Sequence, residues 1–184
     1  TPTLAAGGAT AARAADLLRS AKRPLVVSGR HARGARDELI ALLDALCAPY
    51  LDTGESKGLV PDSHPSVVAA MRGTVLGEAD VVLTVGRRLD FQLGYGSPAV
   101  FGDARFVRIA DCAGELRDNR RGAVELLATP ALALAAIGRH GQRRAPALDR
   151  DWADGLRARH LDRAGKLAAS MRAAPDGADG RMHP

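Results

Sequence analysis

Aromatic residues are scarce in this sequence, with one Trp, two Tyr and three Phe making up 3% of 184 residues. A core must therefore be assembled mainly from Leu, Val, Ile and Ala. Cysteine is scarcer still. Cys47 and Cys112 are the only two, too few and too scattered for a disulfide scaffold, and neither has a second Cys or a His at metal-ligand spacing. Both are expected to be small, buried or half-buried side chains in a reduced, cytoplasmic protein. No apolar run approaches the roughly 20 residues that span a bilayer, so no membrane partner is expected. Thr1 to Ala15 has neither the basic start nor the continuous apolar run of a signal peptide. A chain opening on Thr rather than Met reads as a piece of a longer one.

Assembled reaction centres are also missing. There is no G-x-S-x-G elbow and no H-E-x-x-H pair. His31, His64, His140, His160 and His183 are scattered, with no paired spacing for a metal. His64-Pro65 reads as the start of a helix, where the imidazole caps or packs.

The net charge of +5 raises the question of nucleic acid, and its location argues against it. From Arg139 to Arg172 there are nine Arg or Lys residues and four Asp, so this segment carries the whole excess. Trp152 is the single Phe, Trp or Tyr in that segment, too little to stack a run of successive bases. A solvated basic helix is the better account.

What is present is an alternation of short apolar runs with helical patterns. The runs are Pro24–Ser28, Tyr50–Asp52, Val81–Val85, Arg105–Ile109 and Val124–Leu127. Near-continuous Val, Leu and Ile indicate strands buried on both faces, as parallel sheets require. Spacings of roughly 20 to 30 residues with helices between read as βαβ units. Helices are expected at Ala9–Ala21, with Ala14, Leu17, Leu18 and Ala21 on one face, and after Gly34, where Leu39, Ile40, Leu42, Leu43 and Leu46 recur at helical spacing. Pro130 can open another, continued by Leu132, Leu134, Ala135 and Ile137. The predicted fold is α/β, a Rossmann-like doubly wound parallel sheet of five to six strands flanked by helices.

Residues 1–138 are expected to form this Rossmann-like unit, and 139–184 a basic linker and helix. Gly138 to Pro146 lacks apolar periodicity. Leu148, Trp152, Leu156, Leu167 and Met171 then lie near one helical face, which can pack only on the body of the domain or on a neighbour. Ala173 to Pro184 reads as extended.

The first strand runs into Ser28-Gly29-Arg30-His31-Ala32-Arg33-Gly34. A strand, a glycine-bearing turn and a helix can present backbone N–H groups to a phosphate, yet neither the G-x-G-x-x-G nor the P-loop pattern is met, and a plain tight turn is the alternative. Thr53-Gly54, Gly86-Arg87-Arg88-Leu89-Asp90 and Ala110-Asp111 end the next strands. All lie at strand carboxyl ends, where open α/β sheets bind ligands.

Four blocks, in order, carry a resemblance: AKRPLVVSGRHARGARDELIALLDALCAPYLDT (21–53), SKGLVPDSHPSV (56–67), ADVVLTVGRRLDF (79–91) and ARFVRIADCAGELRDNR (104–120). The HP after a K-G-x-x-P stretch and the strand ending in Gly86, Arg88 and Asp90 are the most specific. Together they resemble the central domain of thiamine-diphosphate-dependent enzymes of the acetolactate synthase-like superfamily. Arg181-Met182-His183-Pro184 resembles the start of that family's C-terminal cofactor domain.

The resemblance implies a parent, homodimeric or homotetrameric, that joins or cleaves a C–C bond beside a carbonyl. Its thiamine diphosphate and Mg²⁺ would be bound by N- and C-terminal domains this sequence does not include. The central domain would supply no catalytic residue. Some relatives hold FAD or ADP in it. Carried over by position, those contacts fall at Ser28, Gly29, Arg30, Thr53, Gly54, Met71, Arg72, Gly86, Arg87 and Asp111. The glycine-rich turn is here Ser-Gly-Arg, a usual His is Arg72, an acidic pair is reduced to Asp111, and Thr74 to Ala79 looks short. These departures favour a structural domain with a vestigial site. The alternative is a stand-alone adenine-nucleotide-binding module.

Overall fold

Five runs of buried apolar residues align side by side in the computed structural model, which describes residues 4–141 and 145–173. In chain order the elements are α1 (Gly8–Ser20), β1 (Pro24–Ser28), α2 (Arg36–Leu46), β2 (Tyr50–Leu51), α3 (Arg72–Glu78), β3 (Val81–Val85), α4 (Pro98–Phe101), β4 (Arg105–Ala110), α5 (Ala113–Leu116), β5 (Val124–Leu127), α6 (Pro130–Gly141) and α7 (Arg150–Ala173). The sheet order is β2-β1-β3-β4-β5, and every pairing is parallel.

Alternate strand residues feed two cores. Val26, Leu83, Val107 and Ile109 pack beneath α1, α2 and α6, against Leu18, Leu39, Leu43, Leu134 and Ile137. Leu25, Val27, Val82 and Phe106 face the other way, against Met71, Val75, Phe101, Trp152 and Leu156. Both faces are covered, and the α/β, doubly wound expectation holds.

The chain leaves β1 for one neighbour, β2, and returns on the other side as β3. That reversal opens a crevice at the carboxyl ends of β1 and β3, the place where open α/β sheets take ligands.

Several local expectations are corrected. Cys47 and Cys112 are exposed, not buried. Cys47 sits in the left-handed conformation that ends α2 (φ 51°), which turns its side chain out of the apolar stripe it closes, and Cys112 precedes the first turn of α5. His64-Pro65 does not start a helix. Its segment is a turn, with Nδ1 of His64 accepting from Ser66 N at 3.2 Å and Nε2 lying 3.2 Å from Asp44 Oδ1. Helix α6 runs on into the expected linker as far as Gly141, where a Cβ would meet Arg19 Nε at 2.5 Å. The Arg181–Pro184 block and the extended tail after Ala173 lie outside the described residues.

Helix α7 divides in two. Trp152 and Leu156 are buried in the core under β1 and β3, and Trp152 Nε1 donates to Glu78 Oε2 at 2.8 Å. Beyond Arg163, which donates to Ala70 O, its large apolar side chains Leu167 and Met171 are exposed. None of the helices among the described residues is long and apolar enough to cross a membrane.

Candidate functional site

The crevice at the carboxyl edge is built from short-range necessities. Gly29, after β1, and Gly86, after β3, are pressed back to back. A Cβ on Gly29 would meet Gly86 O at 2.5 Å, and one on Gly86 would meet His31 Cβ at 2.7 Å. Gly86 also has φ +54°, which side-chain-bearing residues rarely adopt. Two glycines are therefore needed for the loops to close on each other.

That closeness consumes donors. Gly29 N–H donates to Val85 O, His31 N–H to Gly86 O and Ala32 N–H to Gly29 O. Three N–H groups that could have cradled a phosphate at this turn are satisfied internally.

Below the turn lies a buried hydroxyl network. Ser28 Oγ contacts the Tyr50 hydroxyl and donates to Ser56 Oγ at 2.9 Å. Thr53 Oγ1 donates to Ser28 O at 2.6 Å and Ser56 Oγ to the same carbonyl at 3.0 Å. Burial is the main reason the Tyr50 phenol is pushed up to about 12. Ser28 thus staples β1 to β2 and does not face the crevice.

The open part is a cleft of about 340 Å³ lined by Arg30, Thr53, Gly54, Glu55, Gly86, Arg87, Arg88, Asp90, Gln92 and Glu115. Its charges pair among themselves. Arg30 Nε lies 3.6 Å from Glu55 Oε2. Arg87 makes a two-pronged pair with Asp90 at 2.7 and 2.8 Å and reaches Gln92 Oε1 at 2.9 Å. The hydrogen bond from Arg87 holds the Asp90 carboxyl below the usual carboxylate range. Arg88 is exposed and has no partner among the described residues. At the far wall, His31 Nδ1 lies 2.7 Å from Asp111 Oδ1 and 3.7 Å from Glu115 Oε2.

Of the ten positions expected from sequence, Arg30, Thr53, Gly54, Gly86 and Arg87 line this cleft. Gly29 is not among the lining residues but packs against Gly86, which is. Asp111 stands behind it, held by His31. Met71 is buried in the core, and Arg72 spans to Gln92 O at 2.7 Å, so neither is among the cleft's lining residues. Glu55, Arg88, Asp90, Gln92 and Glu115 were not among those ten. Glu55 and Arg88 adjoin expected positions in sequence, and Asp90 and Gln92 follow within five residues of Arg87, so these four could have been included. Glu115 had no such signal, since it reaches the cleft only because α5 folds back over the β4 end. Among the described residues no group of three or more His, Cys, Asp or Glu side chains could hold a metal ion.

Comparison with known proteins gives a consistent result. The family model described as "Thiamine pyrophosphate enzyme, central domain" matches residues 11–137. A 2-hydroxyacyl-CoA lyase 1 of Mus musculus is 41% identical over 117 residues, 62% of this chain and 20% of that protein. An acetolactate synthase large subunit of Mycobacterium tuberculosis is 38% identical over 114 residues, 59% of this chain and 20% of that protein. Oxalyl-CoA decarboxylase of Escherichia coli is 34% identical over 116 residues, covering 62% and 21%. The chain thus spans about a fifth of the length of these relatives. A solved structure of a candidate thiamin diphosphate-dependent enzyme from Mycobacterium smegmatis superposes with a TM-score of 0.66 over 79% of this chain and 30% of that one. At 19% identity it bears on the fold alone.

Proposed function

Because this chain belongs to the thiamine pyrophosphate enzyme central-domain family, we propose that it is the non-catalytic middle domain of a larger lyase, synthase or decarboxylase. The observation that carries the reading is the match over residues 11–137 to a segment that is only about a fifth of each relative. Thiamine diphosphate with Mg²⁺ would be held by flanking domains of the parent, where the thiazolium serves as electron sink for bond cleavage beside a carbonyl. The residues described here do not fit that cofactor, since they group no set of side chains for its metal. This domain's part is to space and support its neighbours within a homodimeric or homotetrameric parent. Two exposed free thiols suit a reducing, cytoplasmic setting.

The carboxyl-edge cleft is a vestige of a nucleotide site on this reading. Its 340 Å³ lies at the low end of ligand pockets. Glu55, Asp90 and Glu115 oppose a diphosphate, and Arg30 and Arg87 already face carboxylates. Calorimetry on the chain with FAD is expected to show no heat. Micromolar affinity for ADP, NAD or CoA would instead favour the reading as a stand-alone adenine-nucleotide module.

The decisive assay compares this chain with the intact polypeptide that contains it. Thiamine-dependent cleavage of a 2-hydroxyacyl-CoA, or decarboxylation or condensation of a 2-oxo acid, is expected from the intact protein and not from this chain. Turnover by the chain alone would overturn the proposal.

A further inference from the structure

The distal half of α7 carries an apolar stripe that the domain leaves uncovered. Trp152 and Leu156 are 8% and 0% exposed, whereas Leu161, Leu167 and Met171 are 53%, 63% and 69% exposed. At 3.6 residues per turn, Leu161, Ala164, Leu167, Ala168 and Met171 share an arc of about 120°. The stripe continues the face that Trp152, Leu156 and His160 lay on the domain, so the helix carries one seam past the edge of its own support. Exposed alone, such a seam has no stabilising role, and a helix polar all round would be the expected surface design.

The charges bordering the stripe say what covers it. Between Arg157 and Ala173 there are five Arg or Lys and one Asp. Arg163 and Arg172 fall on its two edges by the same helical geometry; Arg163 already donates to Ala70 O, which leaves Arg172 as the edge cation facing away from the domain. The single Asp, Asp162, is taken by Lys166 at 2.8 Å. Two copies of this helix laid seam to seam would bring these like charges together, which disfavours a second copy as the occupant. We propose that the stripe docks into an apolar groove rimmed by acidic side chains on an adjoining domain of the parent polypeptide. This rests on the reading of the chain as a middle domain, and it assigns α7 as the rigid strut between that domain and its neighbour.

Amide hydrogen exchange at Leu161–Ala173 tests it, measured in this chain and in the intact parent. Exchange about tenfold or more slower in the parent is expected, the mark of a covered helix. Leu167→Asp with Met171→Asp should restore the fast exchange in the parent and leave the melting temperature of this chain unchanged. Arg172→Glu should speed exchange in the parent in the same direction. Equal exchange in the two proteins overturns the proposal, and insensitivity to Arg172→Glu overturns the acidic rim. A dimer of this chain in sedimentation, abolished by Leu167→Asp, would make a second copy the occupant and equally overturn it. Turnover of the parent is a separate readout, so a protein without thiamine activity but with a covered α7 would sink the functional reading alone.

Discussion

Arg108 and Asp118 form a two-pronged ion pair with side chains 1% and 2% exposed, and that pair ties strand β4 to the loop that follows β3 at the rim of the cleft. Arg108 also donates to Glu115 O and Arg120 O, each at 2.7 Å. Asp118 accepts from Leu89 N at 2.8 Å, and Asn119 donates to Leu89 O at 3.0 Å. One strand residue thereby positions the segment after α5 and the loop after β3 together.

Removing one member leaves the other charged and dry. Arg108→Met is expected to cost about 3–5 kcal/mol, the usual penalty for breaking a buried pair. The double variant Arg108→Met/Asp118→Leu should recover part of it, since apolar groups of similar volume can replace such pairs. Urea midpoints check both, and an unchanged midpoint for Arg108→Met would show that the pair contributes nothing.

Stability should fall in alkali through Tyr50. Its phenol titrates at about 12 in the folded chain, against about 10 in an unfolded one. The folded state prefers the protonated form, so this contribution is complete below the unfolded value and is lost as pH rises through the folded one. Tyr50→Phe should flatten the stability profile between about pH 10 and 12. A wild-type profile already flat there would contradict the burial of the Tyr50 hydroxyl.

An acid window belongs to His160. Its Nδ1 accepts the Ala70 N–H at 3.2 Å, which needs an unprotonated nitrogen. Burial first, then the neighbouring Arg157, push its pKa below the ordinary 6.5, with Asp62 opposing. Because the folded value is depressed, the contribution is present above the unfolded pKa and is lost as pH falls through the folded one. The protection factor of the Ala70 amide, its exchange relative to the intrinsic rate at each pH, should therefore fall as pH drops below 6.5. In His160→Gln that fall in protection should be absent.

Gly86→Ala tests the contact that closes the crevice. The new methyl would meet His31 Cβ at 2.7 Å and Ala32 N at 2.8 Å at a residue with φ +54°. Overpacking and left-handed strain together predict a loss of about 2–4 kcal/mol. Thermal unfolding measures it, and a shift of under a degree would mean that the loops can part freely.

The strands were legible because each is a short apolar run with its own punctuation, and all five sets of bounds agree within one residue. Strand β2 stops one residue sooner, at Leu51, and β4 runs one residue further, to Ala110. Helix α1 is displaced by one residue from its expected bounds. The site was legible in part. Glycines and strand ends mark the rim, which is why Arg30, Thr53, Gly54, Gly86 and Arg87 came together. Ser28 and Met71 look the same in sequence as rim residues, yet their side chains turn inward, and no local pattern says which way.

Determined by sequence alone were the element order, the parallel pairing and the two covered faces, because these follow from hydrophobic runs and their periods over a few residues. Tertiary structure decided which polar groups are left free. Arg30 meets Glu55 and His31 meets Asp111, while Leu167 stays largely exposed, since such pairing depends on where loops far apart in the chain come to rest and on which surfaces remain uncovered once they do.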